Sequence, residues 1–143
     1  MPQRTLRHYV RDLAKVEQGV LVVRGFIGGA RAVKPTVKWM QTLLKKDSSC
    51  QGLTCPLWPV EIQIDPLRFA RYDVNRVPAL VFEPREKFSG YCTPEALKTN
   101  PNRQVIYGDS ALLYGLETLH QHQPDPSLEQ LITRLAPVPW ENL

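Results

Sequence analysis

Val60-Glu61-Ile62-Gln63-Ile64-Asp65-Pro66-Leu67-Arg68-Phe69-Ala70-Arg71-Tyr72-Asp73-Val74-Asn75-Arg76-Val77-Pro78-Ala79-Leu80-Val81-Phe82-Glu83 is the stretch around which the rest of the chain is organised. Val60, Ile62 and Ile64 alternate with Glu61 and Gln63, the period of two of a half-buried strand. Asp65 is a good N-cap and Pro66 a good first helical residue, so a short helix should follow at once. Ala79-Leu80-Val81-Phe82 is apolar throughout and predicts a strand covered on both faces. Proline cannot donate to a ladder, which places Pro78 at that strand's first residue. The Val77–Pro78 bond is also of the one type that turns cis at a cost of only about 0.5–1 kcal/mol.

Working outward, Leu6, Tyr9, Val10, Leu13 and Val16 share one face of a helix over 2–18, stopped by Gly19. Val20 to Val23 reads as a buried strand, followed by the glycine-rich turn Arg24-Gly25-Phe26-Ile27-Gly28-Gly29. A second helix should open near Pro35 and carry Val37, Met40, Leu43 and Leu44 inward, with Lys45 and Lys46 against its C-terminal dipole. After Glu83 about twenty residues lack periodicity, a length of loop that is often functional. Gln104 to Tyr107 restores a strand. Asp109 or Ser110 should cap a helix burying Leu112, Leu113, Leu116 and Leu119. A last helix, about 127–136, opens on the capping box Ser127-x-x-Gln130 and buries Leu128, Leu131, Ile132 and Leu135.

This order of elements, with the strand, Asp-Pro helix and Val-Pro strand at its centre, resembles thioredoxin-like domains around their cis-proline. The resemblance implies one α/β domain over 1–143 with its core at about 20–122: three layers, α/β/α, a mixed sheet of about four strands, and a cis bond at Pro78. The implied sheet order is 60–64, 20–24, 79–83, 104–107. A thioredoxin places a further edge strand before its first helix. Here that strand would be missing, lie upstream of Met1, or come from a partner, which leaves Val60, Ile62 and Ile64 on an open edge.

Redox-active thioredoxins carry Cys-x-x-Cys between the second strand and its helix. The matching residues here are Gly25-Phe26-Ile27-Gly28, without sulfur. A thiolate is the nucleophile of disulfide exchange, so the site expected for an oxidoreductase is void and no catalytic residues are assigned. Cys50 and Cys55 bracket a small loop and suit a disulfide in an oxidising compartment; an alternative is a thiol-disulfide oxidoreductase or isomerase that uses this pair. Cys92 is the odd cysteine, free or paired between chains. A zinc site from Cys50, Cys55, His120 and His122 is disfavoured, because His-x-His on a helix points its rings apart. No metal and no cofactor is expected. The glycine turn lacks the Gly-Lys-Ser/Thr of a phosphate loop.

Composition bounds the partners. With 143 residues, 43% hydrophobic and 22% charged, the chain can bury about two-thirds of its unfolded surface. No apolar run approaches the roughly 20 residues of a membrane helix, so stable membrane insertion is not expected. No apolar leader follows the N-terminal arginines either. Residues 1–46 hold ten Lys/Arg against Asp12 and Glu17, a balance of +8, and the remainder holds eight against twelve, or −4. A basic first third could meet nucleic acid or an acidic protein. Its cations are spread at helical spacing and its aromatic platform is thin, so nucleic acid is set aside in favour of charged outer helix faces.

Several phrases go beyond generic thioredoxin. Val20-Leu21-Val22-Val23-Arg24-Gly25, Ile64-Asp65-Pro66-Leu67-Arg68-Phe69, Tyr72-Asp73-Val74-Asn75-Arg76-Val77-Pro78-Ala79 and Gly108-Asp109-Ser110-Ala111-Leu112 match, in order, phrases of one family, and Met1-Pro2 fits its opening. Over about residues 1–122 the chain resembles the type-F conjugative transfer pilin assembly family TrbC. That resemblance implies a periplasmic, non-catalytic accessory of an F-like type IV secretion system, acting in pilus assembly with TraW-like and neighbouring components. On the thioredoxin pattern, Gly25, Phe26 and Ile27 would face Val77 and Pro78 across a groove for a partner segment.

Overall fold

The computed structural model describes residues 1–84, 98 and 100–137. Cys92 and most of the unpatterned loop lie outside the described residues. The elements run α1 (Gln3–Val16), β1 (Leu21–Val23), α2 (Val33–Leu44), β2 (Ile62–Ile64), α3 (Pro66–Arg71), β3 (Ala79–Phe82), β4 (Gln104–Tyr107), α4 (Leu112–His122) and α5 (Pro126–Leu135). Helices and strands therefore fall in the order read from the sequence.

The strands form two ladders. β1 pairs parallel with β2, Leu21 opposite Ile62 and Val23 opposite Ile64, with α2 as the crossover. β3 pairs antiparallel with β4, Ala79 opposite Tyr107 and Phe82 opposite Gln104. The continuous four-stranded sheet expected above is not formed among the described residues, since β1 and β3 are not hydrogen-bonded. Strand length supplies the reason. The bonds Leu21 N to Glu61 O and Asp65 N to Val23 O turn Leu21 and Val23 toward β2. In a three-residue strand that leaves Val22 alone to face the other way, too little for a second ladder. Nor is β3 covered on both faces: all four of its residues are half-buried. Leu80 and Phe82 pack on the helices, and strand alternation turns Ala79 and Val81 to the opposite face.

Two apolar clusters follow the two ladders. Leu6, Val10, Leu43 and Val60 form one, with Leu21, Trp39, Trp58 and Ile62 against it. Leu112, Leu116, Leu119 and Leu128 form the other, with Leu80, Phe82, Ile106 and Ile132. Leu13 packs against both clusters, so α1 is the element they share. At its end, Val16 O accepts from the Arg134 guanidinium of α5. Burying one such leucine is worth about 1.5–3 kcal/mol, which makes these stripes the main adhesive of the fold.

The capping chemistry departs from the sequence reading in three places. Asp65 does cap α3, its Oδ1 accepting from Leu67 and Arg68 amides. α4 instead starts after Ala111 without a side-chain cap, because Asp109 accepts from the hydroxyls of Thr5 and Tyr9 on α1. α5 opens one residue early, at Pro126, with Asp125 accepting from the Ser127 amide in place of the Ser127 box. α2 ends at Leu44, and its terminal carbonyls are met by Arg7, whose guanidinium donates to Thr42 O at 2.6 Å and Lys45 O at 2.9 Å. Val37 was expected inward and points outward, while Thr36 is fully buried in its stead. The reason is polar: the Thr36 hydroxyl has a donor and an acceptor waiting inside.

Candidate functional site

The turn after β1 is built by glycine. Gly28 and Gly29 take φ of 88° and 103°, a left-handed region that costs other residues energy. The turn closes through Gly29 N to Phe26 O at 3.2 Å and Ala32 N to Gly29 O at 2.9 Å, and α2 begins at Val33. The Ile27 amide then donates to Thr36 Oγ1 at 2.9 Å, and that hydroxyl donates to Ala32 O at 2.8 Å. This stitch fixes the turn on the first turn of α2 and leaves Phe26 and Ile27 39% and 42% exposed. Two apolar side chains thus stand partly in solvent on a pinned loop between β1 and α2.

The second half of the expected groove lies between α3 and β3. Glu83 accepts from Arg71 Nη2 at 2.9 Å and from the Tyr72 hydroxyl, and Arg103 Nε donates to Tyr72 O, which ties the end of α3 to both strands. The chain returns through Arg76 and a cis Val77–Pro78 bond, with Val77 61% exposed. Arg76 lies over the Tyr107 ring at 4.7 Å, Tyr107 donates its hydroxyl to Asp73 O, and Gly108 N donates to Pro78 O at 3.0 Å. Arg76, Val77, Pro78, Tyr107 and Gly108 line an open depression of about 260 Å³. Gly25, Phe26 and Ile27 are not among the residues that line it.

Backbone direction adds to this surface. Since Gly108 N bonds Pro78 O, alternation along β3 turns the amides and carbonyls of Ala79 and Val81 away from β4. On β2, the outer side carries the corresponding groups of Ile62 and Ile64, which have no ladder partner among the described residues. Val60 sits just before that strand, buried in the first cluster.

Cys50 and Cys55 are joined in a disulfide. The loop they close is held by Lys45 Nζ to Cys50 O at 2.9 Å and by Lys46 N to Pro56 O, and carries Leu53 fully exposed at its tip. Among the described residues no group of His, Cys, Asp and Glu is placed to hold a metal ion.

Arg76, Tyr107, Gly108 and Thr36 were not assigned to the site by the sequence reading. Register could have found two of them: once Pro78 opens β3, counting back from the Asp109 turn sets Gly108 opposite Pro78 and Tyr107 opposite Ala79.

The Gly108-Asp109-Ser110 phrase has a physical role. Gly108 lines the depression, while Asp109 takes the Thr5 and Tyr9 hydroxyls, and Ser110 O accepts from Tyr9 at 2.8 Å. The phrase therefore locks the depression to α1. Burial, and then the Asp109 carboxylate, push the Tyr9 phenol above its ordinary range.

The family model for the type-F conjugative transfer system pilin assembly protein matches residues 1–119. The chain belongs to the TrbC family. TrbC membership ties it to pilin assembly in a type-F conjugative system, and the 25–29 turn and the Val77–Pro78 depression both lie inside the matched span. No curated protein and no solved structure matches the chain. No helix among the described residues is long and apolar enough to cross a membrane.

Proposed function

We propose that this TrbC-family chain is a non-catalytic assembly factor on a thioredoxin-like framework, working in the periplasm. It grips an extended segment of another pilus-assembly component, a TraW-like protein being the first candidate, between the 25–27 turn and Val77–Pro78. The observation that carries this reading is the pinned turn itself: Phe26 and Ile27 are held in solvent between β1 and α2, the place that the thioredoxin resemblance would give to a redox pair. Backbone groups of β3 that face away from β4 supply hydrogen bonds for an added strand, and the outer edge of β2 at 60–64 offers a second such place. The Cys50–Cys55 disulfide suits an oxidising space and serves as a brace. Against a thiol enzyme, Cys55 is buried and the pair sits in a loop, without the helix N-terminus that would lower a thiol pKa.

Capture of partners from envelope extracts of cells carrying a type-F system tests the reading. Wild-type protein should retain an assembly component, and Phe26→Asp/Ile27→Asp should lose it. Undiminished capture by that variant removes the groove. Dithiol reductase activity present in wild type and lost in Cys50→Ser/Cys55→Ser would replace the whole reading with the enzymatic one.

A further inference from the structure

From Gly19 through Lys46 the chain carries Arg24, Arg31, Lys34, Lys38, Lys45 and Lys46 and not one Asp or Glu. The last two serve the disulfide loop: Lys45 bonds Cys50 O, and Lys46 lies over Trp58 at 5.0 Å. The other four are exposed, and none has an ion pair among the described residues. On α2, Lys34 and Lys38 are four apart and so are Val33 and Val37, which sets a basic row beside an apolar one on the solvent face. Val33 is 53% exposed and Val37 47%. Through the bond from Ile27 N to Thr36 Oγ1, the exposed Phe26 and Ile27 are fixed to the same end of this helix.

The helix end itself is electropositive. α2 opens on Ala32 and, like α1 and α4, has no side-chain cap and no acid in its first turn, whereas α3 and α5 open on Asp65 and Asp125. Lys34 in that turn adds to the positive end of the helix dipole.

We propose that this face of α2, Val33, Lys34, Val37 and Lys38 together with Phe26 and Ile27, docks an acidic amphipathic segment of a partner protein. Carboxylates of the partner settle on Lys34, Lys38 and the uncapped helix end, and its apolar side chains cover Val33, Val37 and Ile27. The inference deepens the reading under Proposed function and rests on it, since the two surfaces share Phe26 and Ile27. A lipid surface fits less well. Each of these apolar side chains keeps about half its surface against the fold, and none is a projecting Trp or Leu able to reach the acyl boundary. Single-stranded nucleic acid fits less well too, because Phe26 is the one ring on this face and Trp39 packs on the core.

The test titrates the full chain with a synthetic peptide of Glu-Leu-Leu-Glu repeats, read by NMR shifts of the Ile27, Val33 and Val37 methyl groups. Its Lys-for-Glu counterpart, phosphatidylglycerol vesicles and oligo-dT are run beside it. The acidic peptide alone should bind, with salt weakening it. Lys34→Glu/Lys38→Glu should cost roughly tenfold or more in affinity, and Lys34→Arg/Lys38→Arg should retain it. Both variants change exposed side chains, and circular dichroism checks that they fold. No binding, equal binding by the Glu variant, or competition by vesicles or oligo-dT overturns the assignment. Val77→Asp separates the two readings: abolished partner capture by Val77→Asp alongside a peptide that fails to bind wild type overturns the acidic-partner assignment and leaves the groove standing.

Discussion

Thr36→Val probes how the exposed turn is held. The substitution removes the hydroxyl that accepts from the Ile27 amide at 2.9 Å and donates to Ala32 O at 2.8 Å. Ala32 O still accepts from the Thr36 amide at 3.2 Å, so no carbonyl is orphaned. The lost bond to Ile27 is worth about 0.5–1.5 kcal/mol net. Valine returns roughly 0.8 kcal/mol by burying a methyl group at a site only 1% exposed. Global stability should therefore move by less than about 1 kcal/mol, while the Ile27 amide loses its partner outright. Hydrogen exchange followed residue by residue is the suitable assay. Ile27 should exchange roughly fivefold or more faster in Thr36→Val, a factor corresponding to about 1 kcal/mol, with little change at Leu43. Thr36→Ser keeps the hydroxyl and should protect Ile27 as wild type does. Unaltered Ile27 exchange in Thr36→Val would show that the turn is held by something else, and the pinned presentation of Phe26 and Ile27 would lose its basis.

Tyr9 gives a pH dependence. Its phenol is pushed above the ordinary 10.0 by burial first and Asp109 second, so the stability it lends is fully present below pH 10 and falls as pH climbs through the raised folded value. Unfolding curves on either side of that value, with ultraviolet titration of the phenolate, should show this loss in wild type and a shallower one in Tyr9→Phe; equal slopes would contradict it. Cys50→Ser/Cys55→Ser opens a loop whose cysteines are five apart in sequence, and chain entropy puts the loss at about 2 kcal/mol. The variant should melt lower than oxidised wild type and together with the reduced protein; coincidence with the oxidised protein counts against the brace. Arg7→Ala strips two carbonyls of α2 of their donor and should cost about 1–3 kcal/mol in denaturant unfolding, part of it regained by Lys, and a wild-type midpoint would refute the cap.

What the sequence made legible is what depends on neighbours along the chain. The strand ending at Ile64 and the Asp65-Pro66 cap are local features, and the structure holds both, although Gln63 is as half-buried as Ile62 and Ile64 and Val60 lies just ahead of the paired strand. Apolar spacing likewise located the inward faces of α1, α4 and α5. Val37 was misplaced because periodicity cannot see that Thr36, a polar residue, fills an inward position by bonding to Ile27 and Ala32. Asp109 looked like a cap and is bonded by hydroxyls about a hundred positions away, which no local rule contains. At the site, Val77–Pro78 and the sulfur-free turn announced themselves by type. Arg76 over Tyr107 did not, since that contact needs the register of two strands about twenty residues apart in sequence, with no periodicity between them to set it. Among the described residues the four strands read from the sequence are present, but they are not joined in one sheet, because ladder continuity depends on how many residues each strand contributes.

The shared position of α1 has a consequence for biosynthesis. Among the described elements α1 is synthesised before the rest, yet Leu13 must lodge against a cluster that includes Leu128, and Val16 O waits for Arg134. An incomplete chain can assemble the β1–α2–β2 half at most, with one flank of α1 bare until the final described helix emerges. Stalled products that end before α5 should therefore display a sticky amphipathic α1, and quality control of this protein reduces to whether α1 and α5 have met.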